Sequence, residues 1–178
     1  MFGRWSISIR SNRALREQAP IEPVVIDWTF SRPAQWANFL AYVAAEMEGR
    51  PPSPRHLFIG LFAADAENLS RYWPDGRGMS CAASEGLDWR HPRHKIWTAA
   101  LGSVGRKANR PKRGKGRHEV AEVVERSAAL ALSVRPRAVL LCEHILAILC
   151  REPSETGSAL RDSGVDLERL ERAIGIAR

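Results

Sequence analysis

Apolar residues recur at spacings of three and four early in the chain: Trp36, Phe39, Leu40, Val43, Ala44 and Met47. That period lays a stripe along one side of a helix. A core-facing helix is therefore predicted from Ser31 or Arg32 to the Gly49-Arg50-Pro51-Pro52 break, with Pro33 in its first turn. Ser53 then suits a cap, and Pro54 the first position, of a second helix. Leu57, Phe58, Ile59, Leu61 and Phe62 leave that helix almost no polar face, which predicts a central place. A short third helix is predicted over 66–73. A fourth is predicted over 88–101, where Pro92 fits only within the first turn.

The pattern then returns. A helix is predicted over 118–133 with Ala121, Val124, Ala128, Ala131 and Leu132 inward, ended by Arg135-Pro136-Arg137. Cys142 to Cys150 reads as a mostly buried helix through Ile145, Leu146, Ile148 and Leu149, and Pro153 stops it. Two more helices follow, over 155–163 and 167–177. Gly164 suits the left-handed turn between them and Asp166 can cap the last, whose Leu167, Leu170 and Ile174 share a face. Ahead of all this, 5–9 and 23–30 alternate as short strands. They predict either an added hairpin or an arm that lays Trp28 and Phe30 on the helical body.

The two halves align on each other. A shift of 88 residues sets Glu143-His144 on Arg55-His56, and Ile145, Ile148 and Leu149 on Leu57, Gly60 and Leu61. It also sets Val124, Ala128, Ala131 and Leu132 on Trp36, Leu40, Val43 and Ala44. Later the offset is 78, with Gly164, Asp166, Leu167 and Ile174 meeting Gly86, Asp88, Trp89 and Ile96. About ten extra residues near the Trp73–Gly78 turn account for the change. An acidic-His opening to an apolar helix, followed by a Gly-Val-Asp-Leu lead into a later one, resembles the Clp amino-terminal repeat. That small helical domain stands at the front of Clp-type unfoldase ATPases and normally holds two copies of a helical unit.

The resemblance implies an all-α fold: a double four-helix repeat with pseudo-twofold symmetry, plus a short N-terminal extension. The expected divisions are an extension over 1–30, a divergent first repeat over 31–101, a basic linker over 102–117 and a second repeat over 118–178. It also implies a protein-binding role toward a Clp ATPase or protease, an adaptor or a client, without an engine. Gly102-Ser103-Val104-Gly105-Arg106-Lys107 does not satisfy the phosphate-loop pattern such an engine needs.

In some family members the Glu of the Glu-His motif meets the guanidinium of phosphorylated arginine. Here that position is Glu143 in one repeat and Arg55, of the wrong sign, in the other. The Thr that often precedes the motif is Cys142 in one copy and Pro54 in the other. The candidate binding residues are therefore Glu143, His144, Arg55, His56 and Trp73, the last as an exposed anchor beside the extra turn. Plainer roles stand beside these: Glu143 suits the positive end of its helix, and the matched histidines suit buried hydrogen bonds.

Composition adds bounds. Of 178 residues, 44% are apolar and 26% charged, which is ordinary for a soluble globular chain. No apolar run approaches the ~20 residues that span a bilayer, so no membrane partner is expected. Three cysteines (Cys81, Cys142 and Cys150) form no framework and suit a reducing compartment, with a cytoplasmic location expected. The net charge of +7 traces to Arg106, Lys107, Arg110, Lys112, Arg113, Lys115 and Arg117. Removing those seven from 27 basic residues leaves 20 against 20 acidic ones, a formally neutral remainder. Non-specific nucleic-acid contact through that run is the alternative function, a solvated linker the simpler one. Catalysis, cofactor and metal are not expected. His118-Glu119-Val120-Ala121-Glu122 lacks a second His one turn on, and no Gly-x-Ser-x-Gly elbow is present.

Overall fold

A computed structural model of the chain describes residues 29–75, 77–78 and 119–176, and in these it is mostly helical. Local chemistry sets the helix ends. Ser31 opens α1 (Arg32–Glu48), its Oγ accepting from the Ala34 N–H, and Gly49 closes the helix at φ 65°. Ser53, with extended backbone, opens α2 (Pro54–Ser70). Then come α3 (Glu119–Val134), α4 (Cys142–Arg151), α5 (Glu155–Asp162) and α6 (Leu167–Ala173). Ser154 Oγ caps α5 through the Gly157 N–H at 3.1 Å, and Asp166 Oδ1 caps α6 through the Arg169 N–H at 2.9 Å. Gly164 takes the left-handed turn between them at φ 80°.

The expected break between second and third helices survives as a kink. Asp65 (φ −146°, ψ 38°) interrupts α2, and its Oδ1 accepts from the Asn68 side-chain Nδ2 at 2.7 Å across the kink. The alternation ahead of α1 ends in β1 (Thr29–Phe30). It runs parallel to β2 (Val139–Leu140), with Thr29 opposite Val139 and Phe30 opposite Leu140. Ser31 N–H then donates to the Leu140 carbonyl at 2.9 Å. The predicted strand at 5–9, the predicted helix at 88–101 and the basic stretch lie outside the described residues.

One apolar cluster joins the helices. α2 is buried without a gap from His56 to Ala63, and α4 from His144 to Cys150. These two form the centre, running antiparallel: the end of α2 (Arg71) meets the start of α4 (Glu143). Pro54 and Glu152 share a cavity at the opposite ends. Phe58, Phe62, Leu57, Leu61, Ile145, Leu146 and Leu149 are fully buried, each worth roughly 1.5–3 kcal/mol of transfer free energy.

The stripe that α1 buries differs from the expected one. Ala34, Ala37, Leu40, Ala41, Val43, Ala44 and Ala45 face inward. Trp36 and Phe39 are half-buried at the side and edge to face with each other at 5.7 Å, while Met47 is 53% exposed. Gly60 explains it. A Cβ there would stand 2.1 Å from the Ala37 carbonyl oxygen and 2.9 Å from the Ala41 nitrogen. The backbones of α1 and α2 therefore touch, and only small side chains fit the seam. Among the described residues no helix is long and apolar enough to cross a membrane.

Candidate functional site

Leu141 arrives at α4 with extended backbone (φ −97°, ψ 162°), leaving the first helical N–H groups without partners inside the helix. His144, three residues on, turns its ring back so that Nδ1 accepts from the Leu141 N–H at 3.1 Å. His56 does the same for the Ser53 N–H at 3.2 Å. The rings are buried, at 6% and 3% exposure. Each takes the position that Glu or Gln occupies in a capping box, so both histidines are helix-start acceptors.

Glu143 sits between cap and core with its side chain 12% exposed. Its Oε1 accepts from Arg71 Nη2 at 3.0 Å. Arg71 follows the last turn of α2 and also donates to the Tyr72 hydroxyl at 2.8 Å. Two further groups complete the cluster. Burial holds the Asp65 carboxyl above the ordinary carboxylate range, against the Asn68 hydrogen bond and with the Glu143 charge reinforcing it. Burial, then the charges of Asp65 and Glu143, push the Cys142 thiol far up, so it is a core group and no nucleophile. Cys142 and Cys150 are free thiols, both buried. The arrangement does one thing well: a carboxylate at the positive end of a helix holds a guanidinium at a partly open surface.

At the matched position in the first half the signs are exchanged. Arg55 stands in the first turn of α2, where the helix dipole opposes a cation. Glu48 from the last turn of α1 compensates, accepting from Arg55 Nη1 at 2.8 and 2.9 Å. Glu48 Oε2 also lies 3.3 Å from His56 Nε2. Burial works to raise the Glu48 carboxyl, and Arg55 with His56 outweighs it, holding it below the ordinary range.

Trp73 is not an exposed anchor. It is 2% exposed, edge to face on Phe62 at 5.4 Å, and its Nε1–H donates to Ser163 Oγ at 2.8 Å. The neighbouring Tyr72 carbonyl accepts from the Asp166 N–H at 2.7 Å, so the segment after α2 is wedged against the α5–α6 corner. Arg106, Lys107, Arg110, Lys112, Arg113, Lys115 and Arg117 lie outside the described residues. The described ones hold twelve arginines, no lysine and fifteen carboxylate side chains. The described residues are thus formally acidic.

Arg71, Asp65 and Glu48 were not among the residues sequence singled out. Glu48 had a local signal, standing in the last turn of one helix seven residues ahead of a cation at the start of the next. Arg71 had none, since only the packing of α2 on α4 brings it to Glu143. A shallow cavity of about 270 Å3 opens at the far end of α4, between Glu119, Glu122 and Glu152, with Arg126 paired to Glu152 across it. Among the described residues no three His, Cys, Asp or Glu side chains converge as a metal-ligand set. No family model, curated protein or solved structure matches the chain.

Proposed function

We propose that the chain is a non-enzymatic protein-binding module, a double helical repeat of the Clp amino-terminal kind, acting in the cytoplasm. Its partner is a Clp ATPase–protease assembly, or an adaptor or client of one, and its role is to modulate regulated proteolysis.

One observation carries this reading. At the offset of 88, seven consecutive pairs from His56/His144 to Phe62/Cys150 are buried in both members, and the leading pair makes the same cap bond. The first helices support it at an offset of 87, one less than expected: Ala37/Val124, Leu40/Ser127, Ala41/Ala128 and Ala44/Ala131 are buried pairs. Periodic apolar sequence alone does not require such agreement. Glu143 is the binding residue in this reading. Arg71 holds it in the free chain, and a partner's guanidinium replaces Arg71 there. The acidic excess among the described residues favours a protein partner over a nucleic acid at their surface, since it repels phosphates.

The test is affinity capture from native lysate with the chain and with Glu143→Ala, read by quantitative mass spectrometry. Arg71 is half-exposed, so breaking its pair with Glu143 should cost under about 1 kcal/mol of stability. Recovery of Clp subunits or their clients should fall roughly ten- to a hundredfold in the variant, as expected for one charge-assisted bond of about 1.5–3 kcal/mol. Recovery of no Clp component or protease substrate by the wild-type chain would overturn the proposal.

A further inference from the structure

The two capping histidines differ in what surrounds them. A backbone N–H can only donate, so the Nδ1 atoms that accept from Ser53 and Leu141 carry lone pairs, and each neutral ring holds its proton on Nε2. At His56, Ser53 Oγ lies 2.7 Å from Nδ1 and Glu48 Oε2 lies 3.3 Å from Nε2. A proton arriving on Nδ1 there meets an acceptor, and its charge meets a carboxylate. At His144 the cap residue is Leu141, which has no side-chain acceptor. A proton on that Nδ1 faces the Leu141 N–H, donor to donor.

We propose that His144 is an acid-sensitive release at the start of α4: protonating Nδ1 breaks the cap, while the start of α2 stays anchored through Ser53 and Glu48. The charged groups around α4 are consistent with this. Glu143, on the same helix, acts on the ring and favours the proton, but burial outweighs it and lowers the ring's proton affinity. Asp65 and Arg71 from α2 engage Cys142 and Glu143. The pairs from α3 and α6, Arg126–Glu152 and Arg151–Glu171, lie at the opposite end of α4, as does Arg161 of α5 on the Cys150 carbonyl. An unfolded histidine titrates near 6.5. With the folded value lower, the cap's contribution is complete above that pH and is lost as pH falls through the folded value. This inference stands apart from the functional reading, since it needs no partner.

Cys142 and Cys150 report on the two ends of α4. The chain is labelled from pH 7 to 4.5 with a pyridyl disulfide, which reacts in acid, and each site is followed by mass spectrometry. The ratio of Cys142 to Cys150 labelling should rise by up to about tenfold per pH unit as pH falls from about 6.5 toward the folded-state value, and level off below it, the signature of one linked proton. His144→Gln should abolish the rise, because glutamine accepts from the cap N–H without titrating. Labelling of both cysteines in parallel, or an unchanged rise in His144→Gln, would overturn the proposal. Should that variant not fold, Leu141→Ser supplies the hydroxyl that Ser53 provides in the first half. A flattened rise then supports the release and an undiminished one refutes it.

Discussion

Ser163 Oγ accepts from Trp73 Nε1–H at 2.8 Å and donates to the Leu160 carbonyl at 2.6 Å, relaying a hydrogen bond from the end of α2 to the end of α5. The indole also packs edge to face on Phe62. Trp73→Phe keeps the ring contact and removes the donor. It should cost about 1 kcal/mol, the usual net worth of a buried neutral hydrogen bond, measured as a lower urea midpoint at unchanged slope. At this scale sequence disclosed only part of the candidate site. Glu143, His144, Arg55 and His56 were visible because first-turn chemistry is local. Arg71 and Ser163 were not: their partners lie 72 and 90 positions away and meet them only through packing.

Among the elements, α1 and α2 show how a seam is set by its smallest residues. A Cβ at Gly60 would overlap the Ala37 carbonyl oxygen, so Gly60→Ala has to part the two helices. The expected loss is about 3 kcal/mol, the upper part of the overpacking range, with Gly60→Leu losing the folded state; thermal unfolding followed by circular dichroism checks both. The same seam explains what the hydrophobic pattern could and could not convey. Caps at Ser53 and Asp166, turns at Gly49 and Gly164, and the apolar bodies of α2 and α4 were legible from residue chemistry. The buried side of α1 was not, because a spacing rule weights Trp36, Phe39 and Met47 above alanine. Close helix approach inverts that ranking, placing the alanines inside and the larger side chains at the rim.

For the whole molecule, α4 packs on α2, α3, α5 and α6, and one core cluster runs through both halves. Unfolding should accordingly be a single transition. All six tryptophans precede residue 101, so their fluorescence reports the first half, while far-ultraviolet circular dichroism reports both. Superimposable urea curves from the two signals are the expected result; an earlier fluorescence transition would mean that the halves melt separately. The parallel contact of β1 with β2 bears on how such a chain is made. Val139 follows Thr29 by 110 residues. At about 5–20 residues per second, a ribosome delivers the second strand roughly 5–20 s after the first. Throughout that interval β1 lacks the β2 edge it pairs with, and the flank of the first helical pair that α4 covers is what a nascent-chain chaperone would meet.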